Sequence, residues 1–291
     1  MSTTAEWIVI GSEIALALHP ILLKNIHVPL LTQLVLRLGT YSTLGGILAE
    51  KSDWKHSWGS WDVSMHSILF GIMNLVHIGS SYISYKHLTA GSSLALFYTY
   101  PFMNILAGIL FLGESVSWSI LPWVCIAFIG VLCISYSEKE KFEDNGEKDK
   151  KHIGFGIAMA LLSALTETKI FLLVKTSNGK SPFFNILQLY PAGFLALLGY
   201  SAWKGFDSIK GSPIQFGQII AFNALIGFIG YCLRFYSIPR TTTVIFSILT
   251  FVGVVAGYSW GLLFAGEKPS WMALFGSGCI TGSVAAINLL K

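Results

Sequence analysis

Apolar runs of about twenty residues, cut by short polar breaks, recur along the whole chain. Ten of them are long enough to cross a hydrocarbon core of ~30 Å as helices: near 5–23, 29–49, 65–85, 90–112, 117–136, 153–174, 182–203, 214–237, 241–265 and 271–290. The pattern predicts an all-α, polytopic membrane protein with ten transmembrane helices. Breaks such as KNIHV, YKHLT, GESVS, SIPRT and GEKPS are short enough to make consecutive helices antiparallel neighbours. Three connections are longer, at 50–64, 137–152 and 204–213, and the middle one crowds six acids and five lysines together.

Composition agrees with the pattern. Hydrophobic residues make up 53% of the 291 and charged residues 12%, against about a quarter charged in an average soluble domain. Mean hydropathy is +0.64. The net charge of +4 has no basic stripe behind it, so nucleic acid is excluded as a partner. Cys125, Cys133, Cys232 and Cys279 lie singly inside apolar runs; they read as small buried hydrophobes, and neither a metal site nor a cofactor site is expected. MSTTAEWIV lacks the positive flank and cleavage site of a secretory signal, so the first run reads as a span. Trp7, Trp54, Trp58, Trp61, Trp118, Trp203 and Trp271 fall at or near the ends of runs, where amphipathic rings anchor to the interface.

The charged connection divides the chain almost in half. At an offset of 153 residues LFLGESVSW (110–118) lies on LFAGEKPSW (263–271), and Pro29, Leu36 and Gly46 lie on Pro182, Leu189 and Gly199. This is an internal duplication: a first repeat at 1–136, a linker at 137–152 and a second repeat at 153–291. Five spans per repeat is an odd number, so the second copy enters the membrane inverted. Inverted repeats are an architecture of secondary transporters, which hold cargo near the midplane.

In each repeat the fourth span closes in a Gly-Glu turn, and a Trp-led fifth span follows (WSILPWVCIAFIG, WMALFGSGCITG). The chain thereby resembles the drug/metabolite transporter superfamily, in particular its EamA-type members. That resemblance implies both termini in the cytoplasm and a cell membrane, plasma or bacterial inner, as the location; lysine and arginine placement carries no bias of its own. TETKIFLLVK, with Glu167 and Lys175 eight apart, is similar to the first helix of small multidrug resistance proteins. The likeness implies a carboxylate that binds proton and cationic substrate alternately. SEIALALHPILLK offers Glu13 with Lys24 at eleven instead. SILTFVGVVAGYSW stands where plastid sugar-phosphate translocators carry paired Lys-Arg and Golgi nucleotide-sugar transporters a GALNK-like segment.

Five charged residues fall below the interface: Glu13, Arg37, Glu167, Lys169 and Arg234. Facing lipid they would cost about 12–17 kcal/mol together on insertion scales, so they are expected to face protein or water. Internal pairing, Glu13 with Arg37 and Glu167 with Lys169 or Arg234, is one reading; contact with cargo is the other. Pro20, Pro101 and Pro191 interrupt spans 1, 4 and 7 and free backbone carbonyls near these charges. Asn74, His77 and Tyr82 on span 3, Tyr98 and Tyr100 on span 4, Gln188 and Tyr190 on span 7 and Tyr231 on span 8 complete an expected lining; His19 ranks, with His77, below the glutamates. The Gly113-Glu114 and Gly266-Glu267 pairs read as chain reversals, each carboxylate near the N-terminus of the next helix. Gly130, Gly276, Gly278 and Gly282 suit close helix packing or a homodimer surface.

These features predict a secondary transporter of a small polar or zwitterionic metabolite, an amino acid or derivative, working by proton coupling or exchange. Its partners are a small-molecule substrate and the lipid bilayer. Glu167 and then Glu13 are expected to exchange proton and cargo. Arg37, Lys169 and Arg234 are expected to offset charge or hold an anionic group. The alternative is an antiporter of phosphorylated or nucleotide-linked metabolites with Arg37 and Arg234 on phosphate. An intramembrane enzyme or a receptor finds no catalytic constellation and the wrong number of spans.

Overall fold

A computed structural model describes residues 3–88, 90–115, 117–143, 150–177, 180–264, 266 and 270–289, and among them every regular element is helical, with no strand. In chain order these are α1 (Thr3–Leu16), α2 (His19–Asn25), α3 (Leu30–Leu48), α4 (Lys51–Trp58), α5 (Trp61–His87), α6 (Ala90–Phe97), α7 (Tyr100–Leu112), α8 (Leu121–Glu143), α9 (Lys150–Lys175), α10 (Pro182–Leu189), α11 (Pro191–Lys204), α12 (Pro213–Phe222), α13 (Ile229–Ser237), α14 (Thr243–Thr250), α15 (Val252–Phe264) and α16 (Trp271–Leu289). A π-helical turn, Asn223–Phe228, joins α12 to α13.

Six rods combine the length and hydropathy to cross a membrane: Thr4–Leu22, Trp61–His87, Ile153–Lys175, Pro182–Lys204, Pro213–Arg240 and Thr243–Phe264. Shorter apolar helices, Tyr100–Leu112, Leu121–Cys133 and Leu274–Ala286, accompany them. α3 falls outside this set on hydropathy because Thr32, Gln33, Arg37, Thr40 and Ser42 break its apolar surface. The radial pattern is the reverse of a soluble protein's. Leu69, Phe111, Leu225 and Leu263 are more than 60% exposed, while Glu13, Arg37, Glu167 and Arg234 are 5% exposed or less. Lipid solvates the first group; the second is held by protein.

Start signals follow ordinary capping chemistry. The Ser181 hydroxyl accepts from Phe184 N (3.1 Å) ahead of Pro182, and Ser212 and Gln215 cap α12 reciprocally ahead of Pro213. The connection at 50–64 is not a plain loop: Glu50 and Asp53 form a capping box that starts α4. Asp53 also accepts from Ser181 Oγ at 2.8 Å, which ties α4 to the head of α10. The linker is narrower than 137–152, since α8 and α9 run on to Glu143 and back to Lys150 on helix-forming Glu and Lys; its middle, 144–149, lies outside the described residues.

The interrupted rods show where the freed carbonyls go. Pro20 has no N–H for Leu16 O, and His19 Nδ1 takes that carbonyl at 3.1 Å. Leu18 N turns to Ala15 O, and Trp260 Nε1 takes the Ile14 carbonyl at 3.0 Å. At the α10–α11 break, Pro191 leaves Leu187 O to Trp58 Nε1 (3.1 Å), and Leu189 O accepts from Asn74 Nδ2 (2.8 Å). Both of these breaks are therefore backed by a donor from another helix or from the break itself.

Packing joins the two ends of the chain throughout: α5 lies on α9, α1 on α13, α3 on α10 and α11, α7 on α14, and α8 on α16. The α8–α16 contact is close because a Cβ at Gly130 would sit 2.5 Å from the Gly276 carbonyl. Gly278 and Gly282 face open space, so of the glycines singled out in the sequence Gly130 and Gly276 serve this internal contact. The cysteines are not buried as expected. Cys125 is exposed and the other three are half-buried, which costs a weakly polar thiol little against lipid. Gly130→Val is expected to lower stability by about 1–3 kcal/mol, and Gly278→Val to leave it unchanged; thermal unfolding followed by tryptophan fluorescence in detergent compares the two.

Candidate functional site: a shared guanidinium beside a one-sided cavity

Glu13 on α1, Glu167 on α9 and Arg234 on α13 meet at the centre. Arg234 Nη1 donates to Glu13 Oε1 at 2.7 Å, and Nη2 donates to Glu167 Oε1 at 2.6 Å and to the Tyr100 hydroxyl at 2.9 Å. The guanidinium carbon also lies 5.3 Å from the Tyr100 ring and 5.5 Å from the Phe246 ring. Tyr98 donates to Glu13 Oε2 at 3.1 Å. That bond depends on Gly253: any Cβ there would lie 1.8 Å from the Tyr98 hydroxyl.

His77 completes the cluster. Its Nδ1 lies 3.0 Å from the Ser163 carbonyl and 3.2 Å from the Ser163 hydroxyl, so it can donate to the first or accept from the second. Nε2 faces Glu167 Oε2 at 3.3 Å.

A cavity of about 50 Å3 reaches from this cluster along α1, α5 and α6. Glu13, Arg37, His77, Tyr98, Tyr231 and Arg234 line it, all of them expected from the sequence. His19, Tyr82 and Tyr85 line it as well. On the other side of the triad the space is filled. Phe171 and Lys175 follow Glu167 at one and two turns on the same face of α9; Phe171 packs on Phe246 at 5.2 Å. Lys175 Nζ reaches the carbonyls of Ile238 and Thr241 and lies 3.6 Å from Glu114 Oε1. Glu114 in turn accepts from Thr243 N (3.0 Å) and Thr243 Oγ1 (2.8 Å).

Several expectations need correction. Glu13 pairs with Arg234, not with Arg37. Arg37 has no carboxylate within ion-pair distance among the described residues. Lys169 is exposed, 5.7 Å over the Phe111 ring, because two residues along a helix turn the side chain about 200° away from Glu167. Asn74 serves the α10–α11 break, and Gln188 is buried in α10 away from the cavity. Tyr100 lies beneath the triad; Tyr190 backs it, packed on Tyr41 at 4.8 Å. The Glu114 carboxylate sits at the head of α14, not of the next helix, although Gly113 adopts the expected left-handed turn (φ 64°). Glu267 lies outside the described residues.

Tyr41, Ser81 and Tyr85 were missed, yet the helical period points to them: Tyr41 stands four after Arg37, and Ser81 and Tyr85 stand four and eight after His77. The electrostatics of the triad yield a direct expectation. Arg234→Gln leaves two buried carboxylates without a cation and is expected to cost about 3–5 kcal/mol. Adding Glu13→Gln and Glu167→Gln should restore most of it; thermal melts of the single and triple variants in one detergent measure this.

Comparisons with known proteins agree with the polytopic fold. Residues 154–289 match the EamA-like transporter family. A pseudopaline exporter of Pseudomonas aeruginosa, found in two strains, is 19% identical over 225 residues, 76% of this chain and 74% of the exporter. A solved crystal structure of another protein superposes with a TM-score of 0.72 at 13% identity, covering both chains completely, a likeness of fold alone. With an EamA-like segment in its second half and similarity to the exporter across three quarters of its length, the chain is similar to transporters of the drug/metabolite superfamily, and both likenesses point to a multi-pass membrane transporter, not to an enzyme.

Proposed function

We propose that the protein is a secondary transporter that moves a small polar or zwitterionic metabolite, an amino acid or derivative, by alternating access. The observation that carries this reading is the triad itself: two carboxylates and one guanidinium, each 4% exposed or less on its side chain, beside a cavity that is closed on one side. The carboxylates exceed the guanidinium by one charge. One proton meets that excess, as does one ammonium group, so the two compete for the same place. His77 Nε2, 3.3 Å from Glu167 Oε2, sets a second proton-binding group beside the triad and supports this competition. Similarity to a protein described as an exporter supports outward flux.

The reading includes ten spans arranged as two inverted five-helix repeats, 1–136 and 153–291, joined by 137–152, with both termini in the cytoplasm. Three features support it besides the sequence offset of 153 residues. The helix breaks at Tyr98 and Phe251 are separated by that offset, and so are the left-handed Gly113 and Gly266, both at φ 64°. Exchange of the two repeats also maps the α5–α9 contact onto the α1–α13 contact. Two such halves can rock about the triad, with the Lys175–Glu114–Thr243 cluster parting on one face as the cavity closes on the other. The cavity of about 50 Å3 is far below the ~300 Å3 of an ordinary ligand pocket, so cargo enters only with such a movement. A phosphorylated cargo would require Arg234 as a phosphate contact, and its charge is already met twice.

In proteoliposomes carrying candidate amino acids, Glu167→Gln is expected to abolish transport driven by a pH gradient while the protein stays monodisperse. Undiminished gradient-driven transport in this variant would remove the coupling role of Glu167.

A further inference from the structure

Arg37 is the second buried guanidinium of the cavity, and its surroundings differ from those of Arg234 in one respect. It is 5% exposed, and Nη1 and Nη2 donate to the hydroxyls of Tyr82 (3.1 Å) and Tyr231 (3.2 Å). The rings of Tyr41, Tyr82 and Tyr231 stand 5.5–5.6 Å from its central carbon. Nε has no partner, and no described carboxylate lies within ion-pair distance. An arginine cannot shed its proton here. Aromatic faces attract the cation without neutralising it. The cavity therefore carries one full positive charge that the described side chains leave unmatched.

From this geometry we infer that Arg37, Tyr82 and Tyr231 form a carboxylate-binding subsite, so that the cargo is an amino-acid-like zwitterion with its carboxylate on Arg37 and its ammonium toward Glu13. The inference rests on the transporter reading above and assigns the two ends of its cargo. Both tyrosine hydroxyls accept from Arg37, and each keeps its own hydrogen to donate. An anion beside them gains two O–H donors and the free Nε–H. The unit charge of a carboxylate matches one guanidinium among neutral phenols, whereas a phosphate dianion leaves a charge over. Arg37 and Glu13 line the same cavity, so it presents a cationic and an anionic pole to one small molecule. Arg234 cannot serve as the cationic pole, because Glu13 and Glu167 already hold it.

The test uses the purified full chain in lipid nanodiscs, with thermal stabilisation as the readout. The probes are the twenty L-amino acids and, for each one that stabilises, its carboxamide, which keeps the amine and loses the carboxylate. In the wild type the acid is expected to bind at least tenfold more tightly than its amide. Arg37→Gln should erase that preference, leaving acid and amide equal, and Arg37→Lys should retain part of it. Tyr82→Phe keeps every charge and removes one O–H donor; it should weaken the acid about fivefold and the amide not at all, which decides the matter if Arg37→Gln fails to fold. Glu13→Gln should weaken acid and amide alike. An acid preference that survives both Arg37→Gln and Tyr82→Phe, or Tyr82→Phe alone where the arginine variant cannot be purified, overturns the subsite and leaves the transporter reading standing. If no amino acid stabilises the wild type, the zwitterion reading fails first and takes the subsite with it.

Discussion

One guanidinium shared by two carboxylates is the constraint on which the centre of this protein depends. Glu13 and Arg234 belong to helices that pack on each other from opposite ends of the chain, and Glu167 reaches the same group from a third helix. A buried ion cluster is poor evidence for stability in itself, since desolvation offsets much of its attraction. Its value here is positional. The guanidinium ties three helices to one register, and under the proposed mechanism a proton or an ammonium that claims one carboxylate would loosen one of them. The same contact thus specifies an arrangement and provides the means of changing it.

Around the triad the backbone is used as a polar surface. The rods containing Pro20 and Pro191 break near the centre, and the carbonyls they release are taken up by His19, Trp58, Asn74 and Trp260. In a hydrocarbon surround such groups have no water to turn to. Trp58 and Asn74 illustrate the consequence for reading side chains in membranes: a ring expected to anchor at the interface and an amide expected to touch cargo both serve a broken helix. Tyr98 stands at another break and needs the bare backbone of Gly253 to reach Glu13.

Much of this was legible in the sequence because the bilayer leaves few alternatives. A carboxylate in an apolar run must find a partner, and proline must interrupt a helix, so Glu13, Glu167, Arg234 and the broken rods could be located from residue type and position. Which partner each charge takes was not legible. Pairing depends on helix rotation, which spacing fixes only between residues of one helix, and on which rods touch, which it does not fix. Lys169 shows the first kind of error, since two residues from Glu167 it points to the perimeter. Glu114 shows the second, because its carboxylate caps a helix from the other end of the chain. Of the tyrosines around Arg37, Tyr82 and Tyr231 were among the expected lining, whereas Tyr41 was recoverable from the 3.6-residue period but carries no charge to draw the eye.

The sharing of Arg234 is tested most directly by infrared difference titration of the carboxyl groups in the wild type and in Glu13→Gln and Glu167→Gln. Two carboxylates that bind one guanidinium titrate as a coupled pair, so removing either should change the titration of the one that remains. A Glu167 signal that is the same with and without Glu13 would contradict a shared guanidinium and, with it, the account of how the centre of this protein is held and released.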